Sequence, residues 1–283
     1  MIKVLKSGFY DTIQDLGRLD FQEFGVPISG AMDHYSAKIA NALVGNTSSE
    51  AVLEMTLLGP KLEFQHDNLI SITGADLSPS INGIAINRNK AIFVKLGDIL
   101  CFGKPKLGTR GYLAVSGGFK TELSMNSRSM CKNITNAFKI KTNAILPTLP
   151  FRIKNTPNPK ASLKTHPKHF SNSTLKVFKG PEFELLSPKQ QDSLLHYNFC
   201  ISQKNSRMAY QLVETLENQL KPIITSLVLP GTVQLTPSGK LIILMRDCQT
   251  TGGYPRVLQL SETAINMLSQ KFTNDYIHFK ITN

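Results

Sequence analysis

The sequence predicts a mainly β protein with a few short helices, and three observations carry this prediction. Short runs rich in Ile, Val, Leu and Phe recur in the first half, at 51–57, 69–73, 91–95, 99–102 and 112–115. Similar runs follow in the second half, at 175–178, 232–235, 241–245 and 256–260. Turn signals separate them, and Asn82-Gly83 is typical of a two-residue hairpin because both positions tolerate positive φ. Short strands at such spacing favour a barrel or sandwich over a parallel α/β sheet.

Three short helices are expected among these strands. Asp33 is a good N-cap for a helix with apolar residues at helical spacing, and Gly45 followed by Asn46 would end it. Ser187 followed by Pro188 predicts a second helix start, since proline suits the first helical position. Ser261 is expected to cap a last helix that runs to about Lys271.

The 283 residues exceed the usual size of one domain, which predicts two. Pro157, Pro159 and Pro167 lie in a stretch without periodicity that also contains Asn, Lys and Ser. We therefore expect an N-terminal unit at 1–155, a basic linker at 156–174 and a C-terminal unit at 175–283.

The net charge of +12 comes mostly from one segment, because residues 123–181 contain eleven Lys and Arg and no acidic residue. This segment lacks interleaved aromatics for base stacking, so a solvated face is favoured over a nucleic-acid groove. No run approaches the length of a membrane helix, and neither nucleic acid nor a membrane is expected as a partner. The four cysteines are widely spaced, which indicates free thiols and a cytoplasmic protein.

Several familiar catalytic motifs do not occur: the phosphate loop GxxxxGK[ST], the dinucleotide fingerprint GxGxxG after a strand, and the nucleophile elbow GxSxG. His166 and His169 are close in sequence, but a metal site would need two further ligands that no pattern supplies. No metal site is therefore expected.

Four dense clusters of Gly, hydroxyl, amide and Arg residues remain. They lie at 12–18 with 25–33, at 73–76 with 110–112 and 127–129, at 206–208, and at 249–255. Gly252 and Gly253 would let the backbone approach a ligand, and their N–H groups are expected to form an anion-binding nest. Arginines such as Arg18, Arg128 and Arg207 offer planar forks for carboxylate or phosphate. The alternative is a tight turn at Gly-Gly-Tyr-Pro, with the arginines ion-paired on the surface.

In this order, the clusters resemble the carboxyltransferase-domain family, also known as allophanate hydrolase subunit 2, KipA/PxpC, or the biotin-dependent carboxyltransferase family. The matching motifs extend over nearly the whole chain: QDLGR at 14–18, GVP at 25–27, SGAMD at 29–33, AN at 40–41, LVGN at 43–46, LE at 53–54, TGAD at 73–76, GYLAV at 111–115, GG at 117–118, SRS at 127–129, RM at 207–208, PGTVQ at 230–234 and QTTGGYP at 249–255.

The resemblance implies two cyclophilin-like β-barrel units and the role of the C subunit in a bacterial ATP-dependent 5-oxoprolinase. Such an enzyme opens 5-oxo-L-proline to L-glutamate, and the implied partner subunits are one KipI-like protein and one LamB/YcsF-like protein. The implied catalytic residues are Arg207, Gln249 and Thr250. The residues expected to bind substrate or phosphate are Arg18, Ser29, Gly30, Thr73, Gly74, Arg128, Thr251, Gly252, Gly253 and Tyr254.

The chain departs from the family pattern at two positions near these motifs. Cys248 stands where the family commonly has Arg, and Ala209 replaces a usual Gly. Two alternatives follow from the same resemblance: a carboxyltransferase-type subunit of a urea- or allophanate-degrading system, with biotin supplied in trans, and a non-enzymatic KipA-like regulator that binds a KipI-like kinase inhibitor. The regulator needs only an interface, so an altered residue at 248 is compatible with it.

Overall fold

A computed structural model describes residues 1–151, 162–163 and 167–282. Its contacts divide the chain into a first unit, Met1–Arg18 with Ser29–Pro167, and a second unit, Leu19–Ile28 with Lys168–Asn283. Leu19–Ile28 is thus grouped with the second unit, whereas the sequence placed it in the N-terminal unit at 1–155. Part of the expected linker at 156–174 lies outside the described residues, so the boundaries drawn from the sequence stay predictions.

The first unit contains eleven strands and one helix among its described residues. They are β1 (Ile2–Lys6), β2 (Tyr10–Gln14), α1 (His34–Leu43), β3 (Val52–Thr56), β4 (Lys61–Phe64), β5 (Asn68–Asp76), β6 (Ser80–Ile81), β7 (Ile84–Ala85), β8 (Ala91–Val94), β9 (Ile99–Cys101), β10 (Leu107–Val115) and β11 (Ile145–Leu146).

These strands form two antiparallel sheets that enclose one apolar core. One sheet has the order β11-β1-β4-β9-β6-β7 and the other β2-β3-β10-β5-β8. Ile2 and Leu62 of the first sheet meet Leu53, Ile72 and Leu113 of the second in this core. Helix α1 packs against the five-stranded sheet, with its alanines near Tyr112 and Ala114. Because β10 has neighbours on both faces, its end from Thr109 to Val115 is continuously buried.

The predicted N-cap and end of α1 and the predicted hairpin at Asn82-Gly83 are confirmed. The Asp33 side chain accepts the Ser36 amide at 3.1 Å, and the chain leaves α1 through Gly45, whose φ is 73°. Asn82 and Gly83 connect β6 and β7 with φ values of 50° and 82°, as a hairpin turn with left-handed residues requires.

The second unit contains nine strands and three α-helices among its described residues. They are α2 (Lys168–Ser171), β12 (Thr174–Lys179), α3 (Pro188–His196), β13 (Phe199–Asn205), β14 (Ala209–Thr215), β15 (Ser226–Leu227), β16 (Thr232–Leu235), β17 (Lys240–Leu244), β18 (Thr251–Gly252), β19 (Arg256–Leu260), α4 (Glu262–Leu268) and β20 (Tyr276–Ile281).

Seven of these strands close a barrel in the order β12-β19-β16-β17-β14-β13-β20. The pairing is antiparallel except between β20 and β12, which run parallel. Strands β15 and β18 form a separate two-stranded sheet. The mainly β class with few short helices is therefore confirmed. Among the described residues, no helix combines the length and apolar composition needed to cross a membrane.

Both helix starts expected in the second unit are confirmed, but one helix end is wrong. Ser187 and Gln190 form a capping box at α3, and the Ser261 hydroxyl accepts the Ala264 amide at α4. Helix α4 ends at Leu268 rather than near Lys271. The amides of Gln270 and Lys271 each bond a carbonyl three residues back, so the chain tightens into turns there.

Buried Asp11 in β2 gives the fold a pH dependence. Its Oδ2 accepts the Gly8 amide at 2.5 Å, and burial raises the pKa of its carboxyl from 3.8 to about 7. The folded state therefore prefers the protonated carboxyl. This contribution to stability is fully present below about pH 4 and is lost as the pH rises through about 7.

We expect the free energy of unfolding to fall by up to about 4 kcal/mol between pH 4 and pH 8 through Asp11 alone. Asp11→Asn is expected to remove that share of the fall, because the amide keeps an acceptor for Gly8 and carries no charge. Urea unfolding of both proteins across this range measures the difference. Parallel pH profiles for the two proteins would contradict the assignment.

Candidate functional site

The Asp15 carboxylate joins two of the sequence motifs in the first unit. Its Oδ1 accepts bonds from the Gly17 amide at 2.8 Å and from the hydroxyls of Ser127 and Ser129 at 2.7 and 2.6 Å. Its Oδ2 accepts the Arg128 amide at 2.6 Å. One carboxylate thus organises QDLGR at 14–18 and SRS at 127–129 into a single loop cluster, hereafter the Asp15 cluster.

Ser29 and Gly30 complete this cluster because the backbone there approaches the turn at Leu16 and Gly17. A Cβ on Gly30 would lie 2.8 Å from the Gly17 nitrogen, and φ at Gly30 is 94°. Ser29 also has a positive φ, 58°, and is fully buried. The Ala31 amide then donates to the Asp15 carbonyl at 2.9 Å. Glycine is required at position 30 for two reasons: a Cβ would clash with the Gly17 backbone, and the positive φ is unfavourable for other residues.

The two arginines of the Asp15 cluster differ in exposure. Arg18 is 1% exposed, and its Nη2 donates to the Ser129 carbonyl at 2.5 Å. Its Nη1 has no hydrogen-bond partner among the described residues. Arg128 is half-buried, and its Nη1 donates to the Thr121 carbonyl. Arg128 therefore has donors at the surface that Arg18 lacks, and it is the better placed of the two for an anion.

Thr73 and Gly74 lie in a different, fully buried polar network. The Thr73 hydroxyl donates to the Ser36 carbonyl at 2.7 Å. A Cβ on Gly74 would lie 2.5 Å from the Arg110 carbonyl, and φ at Gly74 is 76°. Both residues thus have a packing role in this conformation, and their predicted contact with substrate or phosphate stays a prediction.

The centre of this network is Glu54, which sequence reasoning did not assign to the site. Its Oε2 accepts the Met32 amide at 2.7 Å and the Tyr112 hydroxyl at 2.9 Å, and its Oε1 lies 4.0 Å from Arg110 Nε. The Tyr112 oxygen in turn accepts the Asp33 amide at 2.8 Å. Burial, and then the charges of Glu54 and Asp33, raise the pKa of Tyr112 far above its usual value.

The sequence does contain a signal for this network. Glu54 and Arg110 are charged residues inside strands that are otherwise apolar or small, and a fully buried charge is rare unless it is paired. Their pairing depends on register: Glu54 is opposite Tyr112 across β3 and β10, and Tyr112 is opposite Thr73 across β10 and β5. That register is not visible in the sequence.

Arg207 in the second unit is held in a bidentate ion pair. Its Nε and Nη2 donate to the two carboxylate oxygens of Asp247 at 2.8 and 2.9 Å, and Arg207 is 6% exposed. The Asp247 amide also donates to the Arg207 carbonyl at 2.9 Å. The fork predicted for a substrate anion therefore holds Asp247, just before the QTTGGYP motif at 249–255.

Cys248 behaves as a core residue. It is 3% exposed and packs with Val228 and Leu244, and Ala209 packs against the same group. Burial, and then Asp247, raise the pKa of the thiol to about 12, so it is neutral at physiological pH. The two departures from the family pattern, at 248 and 209, therefore share one small apolar cluster.

The QTTGGYP motif lies on the β15–β18 sheet. The Thr250 carbonyl accepts the Val228 amide and the Gly253 carbonyl accepts the Ile223 amide, both at 3.0 Å. Neither Gly252 nor Gly253 has a positive φ, and Gly252 belongs to β18. The expected nest is therefore absent from these two described residues, because extended backbone does not direct successive N–H groups to one point.

The backbone at Gly252 closely approaches the Gln234 side chain: a Cβ at position 252 would lie 2.5 Å from Gln234 Nε2, so a larger residue there would displace that side chain. Gln249, Thr251 and Tyr254 are exposed, while Thr250 is half-buried. The second unit thus combines the Arg207–Asp247 pair with an exposed amide, hydroxyls and a phenol. In the first unit, the Asp15 cluster combines Arg18, Ser29, Gly30 and Arg128.

Metal ligands do not converge in the described parts of the chain: no three His, Cys, Asp or Glu side chains there could hold an ion together. His169 is buried and packs edge-on against Phe170, with ring centroids 5.1 Å apart. His166 lies outside the described residues.

Comparison with known proteins finds matches along nearly the full chain. The family model described as carboxyltransferase domain, subdomain A and B, matches residues 24–281. The chain is 30% identical to the C subunit of 5-oxoprolinase from Escherichia coli K12 over 285 residues, which cover 99% of this chain and 90% of that protein. It is 29% identical to the C subunit of 5-oxoprolinase from Haemophilus influenzae over 294 residues, covering 99% of this chain and 91% of that protein.

Other matches are to longer proteins. Over 128 residues the chain is 42% identical to urea amidolyase of Lachancea kluyveri, covering 45% of this chain and 7% of that protein. The crystal structure of TTHA0988 superposes with a TM-score of 0.89 at 25% identity, covering 99% of this chain and 55% of that one. Kluyveromyces lactis urea carboxylase superposes with a TM-score of 0.86 at 26% identity, covering 98% and 27%. The chain thus spans about half of TTHA0988.

Proposed function

Because the chain belongs to the family of carboxyltransferase domain subdomains A and B, we propose that it is the C subunit of an ATP-dependent 5-oxoprolinase. The complex would hydrolyse 5-oxo-L-proline to L-glutamate, with a KipI-like protein and a LamB/YcsF-like protein as partners. The observation that carries the proposal is the similarity to the C subunit of the E. coli 5-oxoprolinase, which extends over 99% of this chain and 90% of that protein. A cytoplasmic location remains a prediction from the cysteine usage.

The reaction explains the need for ATP. An unstrained lactam carbonyl is a poor electrophile, because the amide nitrogen donates electron density to it. Transfer of the terminal phosphoryl group of ATP to the amide oxygen, with release of ADP, would make that carbon reactive toward water. Addition of water, cleavage of the ring C–N bond with protonation of the nitrogen, and release of phosphate would then give L-glutamate. Charge develops on oxygen in both steps, so positioned cations and hydrogen-bond donors would accelerate them.

Of the three predicted arginines, Arg18, Arg128 and Arg207, Arg128 is half-buried and the other two are buried. The Asp15 carboxylate accepts the Arg128 amide and fixes its backbone. Arg207 would act indirectly. Its guanidinium binds the Asp247 carboxylate and thereby fixes the backbone just before Gln249 and Thr250. The exposed side chains of Gln249 and Thr251 could then contact substrate. The two proposed roles are different: Arg128 would bind an anion directly, whereas Arg207 would hold Gln249 and Thr250 in position.

The residues predicted to bind phosphate fit ATP only in part. Arg18 is inside the protein, Arg207 is ion-paired and Gly252–Gly253 form no nest. These residues do not form a complete phosphate site, and we propose that one of the partner proteins binds the nucleotide. The proposal that further chains complete the enzyme is supported by the similarity to a protein that is itself one subunit, the C subunit of the E. coli 5-oxoprolinase.

A urea-directed carboxyltransferase role is the second candidate. It is favoured by the 42% identity to a urea amidolyase over 128 residues and by the superposition on a urea carboxylase. In that case a biotinylated partner would supply the carboxyl group. The KipA-like regulator is compatible with the burial of Cys248, because binding a KipI-like protein needs an intact surface and no reactive thiol.

The test is glutamate production from 5-oxoproline and ATP by this chain co-purified with its KipI-like and LamB/YcsF-like partners. We expect turnover by the complete complex and none by this chain alone or by the two partners without it. Turnover that is unchanged when this chain is omitted would reject the proposal. No turnover from a stable complex of all three proteins would favour the urea-directed or regulatory function.

A further inference from the structure

A cavity of about 460 Å³ lies in the first unit, between the segment at 120–130 and the loop at 135–147. Ligand sites in proteins are typically clefts or cavities of about 300–1,000 Å³, so this volume is large enough for a small organic molecule. The loop that covers it is tied to the core: the Ile140 amide donates to the Asp11 carbonyl at 2.8 Å, and the Val4 amide donates to the Ala144 carbonyl at 2.9 Å. One wall of the cavity is therefore hydrogen-bonded to β1 and β2.

The wall is apolar on much of its surface. Met130, Phe138, Ile140 and Leu146 line it, and Ile140 and Leu146 also belong to the main core of the unit. Such a wall binds hydrocarbon by removing it from water, at about a fourfold gain in affinity for each CH₂ group buried. A ligand with only polar groups would not use this surface.

The charged residues of the lining are mostly positive: it contains four cations, Lys120, Arg128, Lys139 and Lys141, and one carboxylate, Glu122. Lys120 is paired with Glu50 at 2.8 Å, and Glu122 accepts the Asn136 amide group at 2.9 Å. The guanidinium of Arg128 donates to the Thr121 carbonyl and has no carboxylate within ion-pair distance among the described residues. The Thr121 hydroxyl beside it is buried without a hydrogen-bond partner in the same described part.

We propose that this cavity binds an organic carboxylate with a hydrocarbon body, whose carboxylate contacts Arg128 and whose body lies against Phe138 and Ile140. A planar guanidinium matches a carboxylate through two parallel bonds, and the exposed Lys139 and Lys141 add a favourable field. The site is formed by the first unit alone. The test of this proposal measures ligand binding directly, so its outcome does not depend on whether the complex hydrolyses 5-oxoproline.

The experiment is calorimetric titration of the full chain with octanoate, hexanoate, octanol and octylammonium. We expect saturable binding of octanoate, about fourfold weaker binding for each CH₂ removed, and at least tenfold weaker binding of octanol and octylammonium. Octanol that binds as tightly as octanoate, or octanoate that does not saturate, would overturn the proposal.

Two variants test whether octanoate binds in this cavity. Arg128→Met keeps the backbone amide that bonds Asp15 and is expected to weaken octanoate binding tenfold or more. Ala137→Trp changes an exposed lining residue and is expected to fill the cavity and abolish binding. Lys95→Met is the matched control, because it removes an exposed positive charge outside the cavity lining. This variant should bind octanoate with the affinity of the parent chain. Equal affinity in all three variants would also overturn the proposal, and Ala137→Trp serves as the test if Arg128→Met does not fold.

Discussion

Replacing Arg207 by Ala is expected to lower the free energy of unfolding by about 3–5 kcal/mol and to abolish glutamate production by the complete complex. The loss of stability follows because Asp247, whose side chain is 16% exposed, would lose a bidentate guanidinium partner. An arginine that only contacted substrate, the role that the resemblance implies, would leave folding intact. Urea unfolding of the chain and turnover of the complex measure the two effects.

Two further variants separate a positioning role from contact with substrate. Arg207→Ala with Asp247→Ala removes both charges, so stability should recover in part. Turnover that recovers with it would show that Arg207 acts only through Asp247. Arg256→Ala breaks a second bidentate pair, to Glu182, and is expected to destabilise the protein without loss of turnover. An Arg207→Ala chain with parental stability and parental turnover would contradict the prediction.

Replacing Asp15 by Asn is expected to lower the free energy of unfolding by about 2–4 kcal/mol, although the side chain keeps its shape. The carboxylate accepts bonds from the Gly17 amide, from the hydroxyls of Ser127 and Ser129 and from the Arg128 amide. An amide NH₂ would face at least one of these donors, so a buried donor would lose its acceptor. Thermal and urea unfolding measure the effect.

Asp20→Asn is the matched control for this variant. Asp20 is exposed and has a φ of 67°, a conformation that asparagine also tolerates, so we expect a change within about 0.5 kcal/mol. Because Asp15 orients the loop that carries Arg128, the Asp15→Asn chain should also bind octanoate more weakly. Equal stability of the Asp15 and Asp20 variants would show that the cluster does not depend on the negative charge.

The elements of the fold were predictable where the signal is local. Asp33, Ser187 and Ser261 each cap a helix through their own side chains, and Asn82-Gly83 forms its hairpin through local backbone preferences. Strand β20 was not recognised from the sequence. It closes the barrel by pairing with β12 about one hundred residues earlier, a contact that no local pattern encodes.

The candidate site was predictable in its residue types but not in its pairings. The motifs at 14–18 and 127–129 both stand out in the sequence, yet only the fold shows that Asp15 joins them. Arg207 was predicted as a catalytic residue, which stays a prediction, and its partner Asp247 is forty positions away and is selected by the pairing of β14 with β17. The nest at Gly252–Gly253 was wrong because β18 pairs with β15 and keeps that backbone extended.

The closure of the barrel by its last strand has a consequence for synthesis. β20 covers the edges of both β12 and β13, so neither edge is paired until Tyr276–Ile281 has left the ribosome. An unpaired edge is a template for pairing with another chain. Each nascent chain is therefore exposed to association with its neighbours until β20 has been synthesised and paired. A premature stop before Tyr276 would make that exposure permanent, so such products are expected in the aggregated fraction of the cell.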